Sequence, residues 1–201
     1  DPCTSASTES CEINTTSTIT FGSNITQGGD PPTPDYAVYV DAAADGSILN
    51  FKDLFINTNG GIGLDLRSDS NTITLDNISD ITDSGSGGKG SGGGGSLPSN
   101  TTGLKLDASS GNNITVDGNI AVIKNGSNEI FFNNSNNNTF SMTGNLSNAA
   151  GGGGGNNGTS ILFTDSNAND FTLVGTIINA GDSSAALSLE RSDDNEFTIT
   201  S

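Results

Sequence analysis

Few side chains in this sequence could carry out chemistry. It has 23 acidic residues against 6 basic ones, a net charge of −17, and no histidine. Imidazole relays are therefore excluded, which leaves a Ser–Lys pair, a carboxylate pair or oxygen ligands for a hard cation. Lys89 stands among serines, but within the glycine run Gly85-Ser86-Gly87-Gly88-Lys89-Gly90-Ser91. Such a run supplies no preorganised pocket, and it lacks the Gly-Lys-Ser/Thr ending of a phosphate loop. Asp193-Asp194 has the form of an acid pair, yet it falls between Ser192 and Asn195, where Asp69-Ser70 and Asn136-Asn137 stand in earlier copies of the same phrase. It is read as a solvated turn. Oxygen-rich turns offer a looser reading: Asp41 with Asp45, Asp76 with Asp80 and Asp83, and Asp165 with Asp170 could hold calcium. Neither the Gly-Gly-x-Gly-x-Asp repeat nor an EF-hand loop occurs. No catalytic residue and no metal ligand is assigned, no cofactor is required, and the expectation is a protein that is not an enzyme.

The elements that would position any site are written as a recurring phrase, Ser-x-x-Asn-x-φ-x-φ, in which φ is apolar. It runs through Ser68/Asn71, Ser109/Asn112, Ser135/Asn138, Ser166/Asn169 and Ser192/Asn195. A second apolar pair precedes the phrase: Val38/Val40, Leu64/Leu66, Leu104/Leu106, Ile130/Phe132, Ile161/Phe163 and Leu187/Leu189. Successive pairs are spaced 26, 40, 26, 31 and 26 residues apart, and both longer intervals contain a glycine run. A fixed period with excesses confined to loops is the signature of a solenoid, whose units bury apolar faces only against their neighbours.

Apolar and polar residues alternate within each unit, as in Leu-Lys-Leu at 104–106 and Ile-Thr-Val at 114–116. That period of two predicts strands. A third short strand is expected at Ile120–Ile123, near Leu146 and at Ile177-Ile178. The predicted fold is all-β, a right-handed parallel β-helix with about 26 residues and three short strands per rung and glycine-rich loop insertions. The apolar residue of the second strand is placed 10 residues after the pair for Val38→Ile48 and most others, and 9 for Leu64→Ile73. Asn71, Asn112, Asn138, Asn169 and Asn195 are expected to turn a corner in the left-handed region and to bond one another in a column.

The expected organisation is an N-terminal cap and partial rung over 1–37, then rungs over 38–201 with insertions at about 84–100 and 149–159. Cys3 and Cys11, the only cysteines, are expected to form a local disulfide pinning the cap, as in an exported protein. The chain opens at Asp1 as a processed secreted chain would, and it stops in mid-rung at Ser201. The acidic balance disfavours nucleic acid and anionic membrane surfaces, and no apolar run is long enough to span a bilayer. Asn-x-Ser/Thr acceptors are frequent, for example Asn24, Asn77, Asn113 and Asn145.

From about Thr18 to Ser201, the strands, asparagine turns and Gly/Asn-rich insertions resemble the passenger regions of Gram-negative autotransporters, within the pectin-lyase-like β-helix superfold. The resemblance implies secretion to the cell surface. The expected function is a non-catalytic extracellular structural or adhesive β-solenoid: a stalk, passenger or fibre subunit. Its partners would be other copies of itself, a longer continuation of the same solenoid, or a cell-surface or glycan receptor. The alternatives are a carbohydrate-active enzyme on the same scaffold and an ice- or calcium-binding module, the former disfavoured by having only Tyr36 and Tyr39 as tyrosine platforms and the ice reading by drift in the outward threonine positions.

Overall fold

The apolar pairs build one wall of the molecule. In this computed structural model, which describes residues 10–27, 36–58, 61–80, 102–122, 128–148, 159–179 and 185–201, every pair lies in a strand of a seven-stranded sheet. Its strands are Cys11–Ile13, Tyr36–Val40, Ile62–Leu66, Thr102–Asp107, Asn128–Asn133, Thr159–Thr164 and Ala185–Glu190. All neighbours are parallel, so each strand belongs to a different turn of the solenoid. The register puts Val38, Leu64, Leu104, Ile130, Ile161 and Leu187 in one column, and Val40, Leu66, Leu106, Phe132, Phe163 and Leu189 in the next. Register holds across both long intervals. The insertions themselves lie outside the described residues, apart from Thr159, which begins a strand.

The Asn phrases build the opposite wall, an eleven-stranded sheet that also takes in the third strands. One column of second-strand residues runs Leu49, Ile73, Ile114, Phe140, Phe171, Phe197. The third-strand column runs Ile25, Ile56, Ile78, Ile120, Leu146, Ile177. In the two early rungs the second and third strands fuse into Ile48–Thr58 and Thr72–Asp80, with an irregularity between Phe51 and Phe55. The architecture is an all-β parallel solenoid, and no described residue is helical.

The interior is narrow and filled by aliphatic and aromatic side chains. Because equivalent residues stack at strand spacing, aromatic rings meet face to face between rungs: Phe132 and Phe163 at 4.4 Å and 9°, Phe140 and Phe171 at 4.7 Å and 10°. Within a rung they meet edge to face, as Phe132 and Phe140 do at 6.5 Å and 83°. Both geometries suit the ring quadrupole.

One feature differs from the sequence reading. Leu49 rather than Ile48 faces inward: Leu49 pairs with Ile73 and is buried, whereas Ile48 is half exposed. The corner from Val40 to Ser47 is one residue longer than that from Leu106 to Asn112, which shifts the inward phase by one. Stacking extends into the N-terminal segment. Cys11–Ile13, Thr18–Thr20 and Ile25–Thr26 pair with the following rung, and Ile13, Phe21 and Ile25 are as buried as mid-stack residues. The described ends of the stack are unequal. Leu189 and Ile199 in the last rung are 46% and 44% exposed.

Candidate functional site: the corner ladders

The corner between the two walls carries a continuous column of side-chain amides. Asn71 Nδ2 donates to Asn112 Oδ1 at 2.8 Å, Asn112 to Asn138 at 2.8 Å, Asn138 to Asn169 at 3.0 Å and Asn169 to Asn195 at 2.9 Å. Each Oδ1 also accepts the backbone N–H of the asparagine one rung earlier, at 2.9 Å in all four cases. Asn71, Asn112, Asn138 and Asn169 are buried. A buried amide is tolerable only when its donors and acceptors are satisfied, and here each rung satisfies its neighbour. The column starts earlier than the asparagines do. Ser47 N donates to Asn71 Oδ1, and Ser17 N donates to Ser47 Oγ. Serine hydroxyls form a parallel file: Ser109 N, Ser135 N and Ser166 N donate to Ser135, Ser166 and Ser192 Oγ.

The left-handed turn residue is not the ladder asparagine. Positive φ falls on the residue before it, at Ser70, Gly111, Asn137, Ala168 and Asp194. The ladder asparagine must aim its amide along the stack, so the turn is taken one position earlier. A second left-handed residue, at Ala108, Asn134, Asp165 and Arg191, precedes the corner serine. Arg67, just before Ser68, has no such conformation, and one residue fewer separates Leu66 from Ser68 than Leu106 from Ser109. This accounts for the interval of 9 rather than 10 at Leu64→Ile73.

Two further ladders escaped sequence reading. On the outside of the same corner, Asp69 N donates to Asp45 Oδ1, Ser110 N to Asp69 Oδ1, Asn136 N to Ser110 Oγ, Asn167 N to Asn136 Oδ1 and Asp193 N to Asn167 Oδ1. At the turn before the third strand, Asn119 N donates to Asn77 Oδ1, Asn145 N to Asn119 Oδ1 and Thr176 N to Asn145 Oδ1. The readable signal was Gly-Asn ahead of an apolar residue. Gly118, Gly144 and Gly175 stack there, and a Cβ on Gly144 would lie 1.8 Å from Gly118 O.

These ladders also use the carboxylates considered as calcium ligands. Asp45 and Asp76 accept backbone N–H groups, Asp41 accepts Ala43 N and the Tyr39 hydroxyl, and Asp165 is gripped by Arg191 through two 2.7 Å bonds. The Arg191 bonds hold the Asp165 carboxyl below the usual range. Asp170 is exposed on the outer face of the second wall. Among the described residues, no three potential metal ligands gather. Asp83 and Lys89 lie outside the described residues, as does Cys3. Cys11 is buried in the first strand, and among the described residues no cysteine is free.

The outer face of the first wall is chemically the most varied. Tyr36 and Tyr39 stack at 5.1 Å, and Arg67 lies over the Tyr39 ring while bonding Asp65 at 2.9 Å. The Tyr36 hydroxyl donates to Glu12; burial first, and that bond second, push its pKa upward. Lys105 pairs with Asp107 at 2.7 Å. Alongside is an open hollow of about 330 Å³ lined by Ile62, Thr102, Lys105, Asn128, Phe131 and Leu162. Inside the wall, Glu129 is fully buried, and neither carboxyl oxygen has a hydrogen-bond partner. Nothing in the repeat phrase marks it.

Comparison of the chain with family models, with curated proteins and with solved structures finds no match.

Proposed function

We propose that this chain is a non-catalytic extracellular structural or adhesive β-solenoid, working as a surface stalk, passenger or fibre subunit in the manner of the autotransporter passengers it resembles. The observation that carries this reading is the uninterrupted hydrogen-bonded column from Ser17 through Asn195, which ties every rung to the next. Load along the axis would be shared by this column, the two outer ladders and the backbone pairs. An exported location belongs to this proposal, and the expected pairing of Cys3 with Cys11 would accord with it. The exposed Leu189 and Ile199 supply an apolar surface for one more rung, from a second copy or from further chain of the same kind.

Electron microscopy and sedimentation across concentration test the reading. The expectation is rigid rods about 30–40 Å long, or multiples of that length joined at their ends, given roughly seven rungs at ~4.8 Å. The double variant Leu189→Arg/Ile199→Arg should remain single rods. Expanded or spherical particles would remove the structural reading.

The outer hollow favours a second reading, glycan contact or turnover, since Phe131 and Lys105 offer an apolar surface beside a cation. Binding of soluble oligosaccharides that is lost in Phe131→Ala would support recognition, and release of shortened products would overturn the non-enzyme proposal.

A further inference from the structure

Ala37, Gly63, Gly103, Glu129, Ser160 and Ala186 occupy one position in successive rungs, immediately ahead of the inward column from Val38 to Leu187. All are small except Glu129. The space is tight: a Cβ on Gly63 would lie 2.5 Å from Ile78 Cγ2, and one on Gly103 2.5 Å from Ile120 Cγ2. Glu129 nevertheless places a carboxyl in the interior, 0% exposed. Both of its oxygens and the Ser160 hydroxyl one rung on are buried without a hydrogen-bond partner.

The strand Asn128–Asn133 is flanked by Thr102–Asp107 and Thr159–Thr164 and faces Ile120–Val122 and Leu146–Asn148 across the interior. The only ionisable side chains on these elements besides Glu129 are Lys105 and Asp107, which pair with each other beside the outer hollow. Among the described residues, no cation is positioned to balance an ionised Glu129. A lone buried carboxylate is far costlier than a lone buried carboxylic acid.

We propose that Glu129 is a proton-operated latch in the middle of the stack: protonated, it is accommodated between Gly103 and Ser160, and deprotonated, it loosens the rungs on either side. Burial pushes this carboxyl from 4.5 up to about 7, and the nearby Ser160 hydroxyl offsets only a fraction of the effect. The sign follows from linkage. Below pH 4.5 both folded and unfolded chains hold the proton. Between 4.5 and about 7 only the folded chain holds it, so stability falls as pH rises. Above about 7 both have lost it, and the loss levels off. The unfolding constant should rise about tenfold per pH unit in that window, a few hundred-fold in all.

The test uses the full chain. Urea unfolding constants of the wild type and Glu129→Gln are measured from about pH 4 to about pH 9, and the Glu129 carboxyl carbon is titrated by NMR in the wild type. The expected result is a wild-type to variant ratio that climbs a few hundred-fold through the window and is then flat, with the carboxyl titrating near neutrality. The difference between the two chains removes the pH response of the other carboxylates. A constant ratio, or a carboxyl that titrates in the ordinary range, overturns the latch. Should Glu129→Gln fail to fold, the wild-type titration decides alone, and Ser160→Ala should move its midpoint further upward.

Discussion

Asn138 Oδ1 lies 2.9 Å from the backbone nitrogen of Asn112 and 2.8 Å from its Nδ2, one rung earlier in the stack. One atom thus satisfies two buried donors of a residue 26 positions away. Asn138 repeats the arrangement as donor, giving both its N–H and its Nδ2 to Asn169 Oδ1. Truncating it strands groups in the rung before and the rung after.

Asn138→Ala should cost about 2–5 kcal/mol, since two or more buried polar groups lose their partners at about 1–3 kcal/mol each. Asn136→Ala, in the outer ladder where water can replace the side chain, should cost under about 1 kcal/mol. Urea unfolding of both variants checks the contrast; equal losses would deny the inner column its role.

Glycines should divide by their surroundings. Gly46 has φ +72 with nothing near the added Cβ, so Gly46→Ala should cost only the roughly 1–2 kcal/mol of a left-handed alanine. Gly144 has φ +150, and its Cβ would collide with the Gly118 carbonyl. Gly144→Ala must push adjacent rungs away from each other and should cost more than about 4 kcal/mol, the range reached by gross overpacking and strain. Thermal melts of the two variants measure the difference.

Position in the stack should set the cost of losing a ring. Phe163 stacks on Phe132 and meets Phe171 and Phe197 edge-on, and it is fully buried. Phe163→Ala should cost about 3–5 kcal/mol as a cavity in a packed interior. Phe197→Ala, in the partly open last rung, should cost about half as much. Chemical denaturation reads both.

Arg67→Ala should unbalance Asp65, whose side chain is only 2% exposed while that of Arg67 is 42% exposed. The partial exposure of Arg67 tempers the loss to about 1–3 kcal/mol. Adding Asp65→Ala should recover some of it, which a double-mutant cycle would show.

Most of the wall geometry was legible because an inward residue every second position is forced by the pleat, and a column repeats that requirement rung after rung. Leu64, Leu104 and Ile130 needed no more than counting. Ile48 faces outward because one extra residue at the corner shifts the phase, and an Ile next to a Leu gives no local clue to which faces in. The asparagine column was legible by period. The left-handed residue was not, because Ser70, Gly111, Asn137, Ala168 and Asp194 share a conformation but no side-chain type. Glu129 was illegible for the opposite reason: a glutamate beside Asn128 reads as a surface residue, and only the stacking of Ala37, Gly63, Gly103 and Ser160 shows that its position points inward.

The inner amide file has a sense. Its acceptor always belongs to the later coil and its donor to the earlier one, whereas in the outer file at the same corner the roles are exchanged. A coil laid on upside down would set donor against donor in the inner file and acceptor against acceptor in the outer one. The corner therefore acts as a reading direction for winding, admitting each new coil in one orientation only.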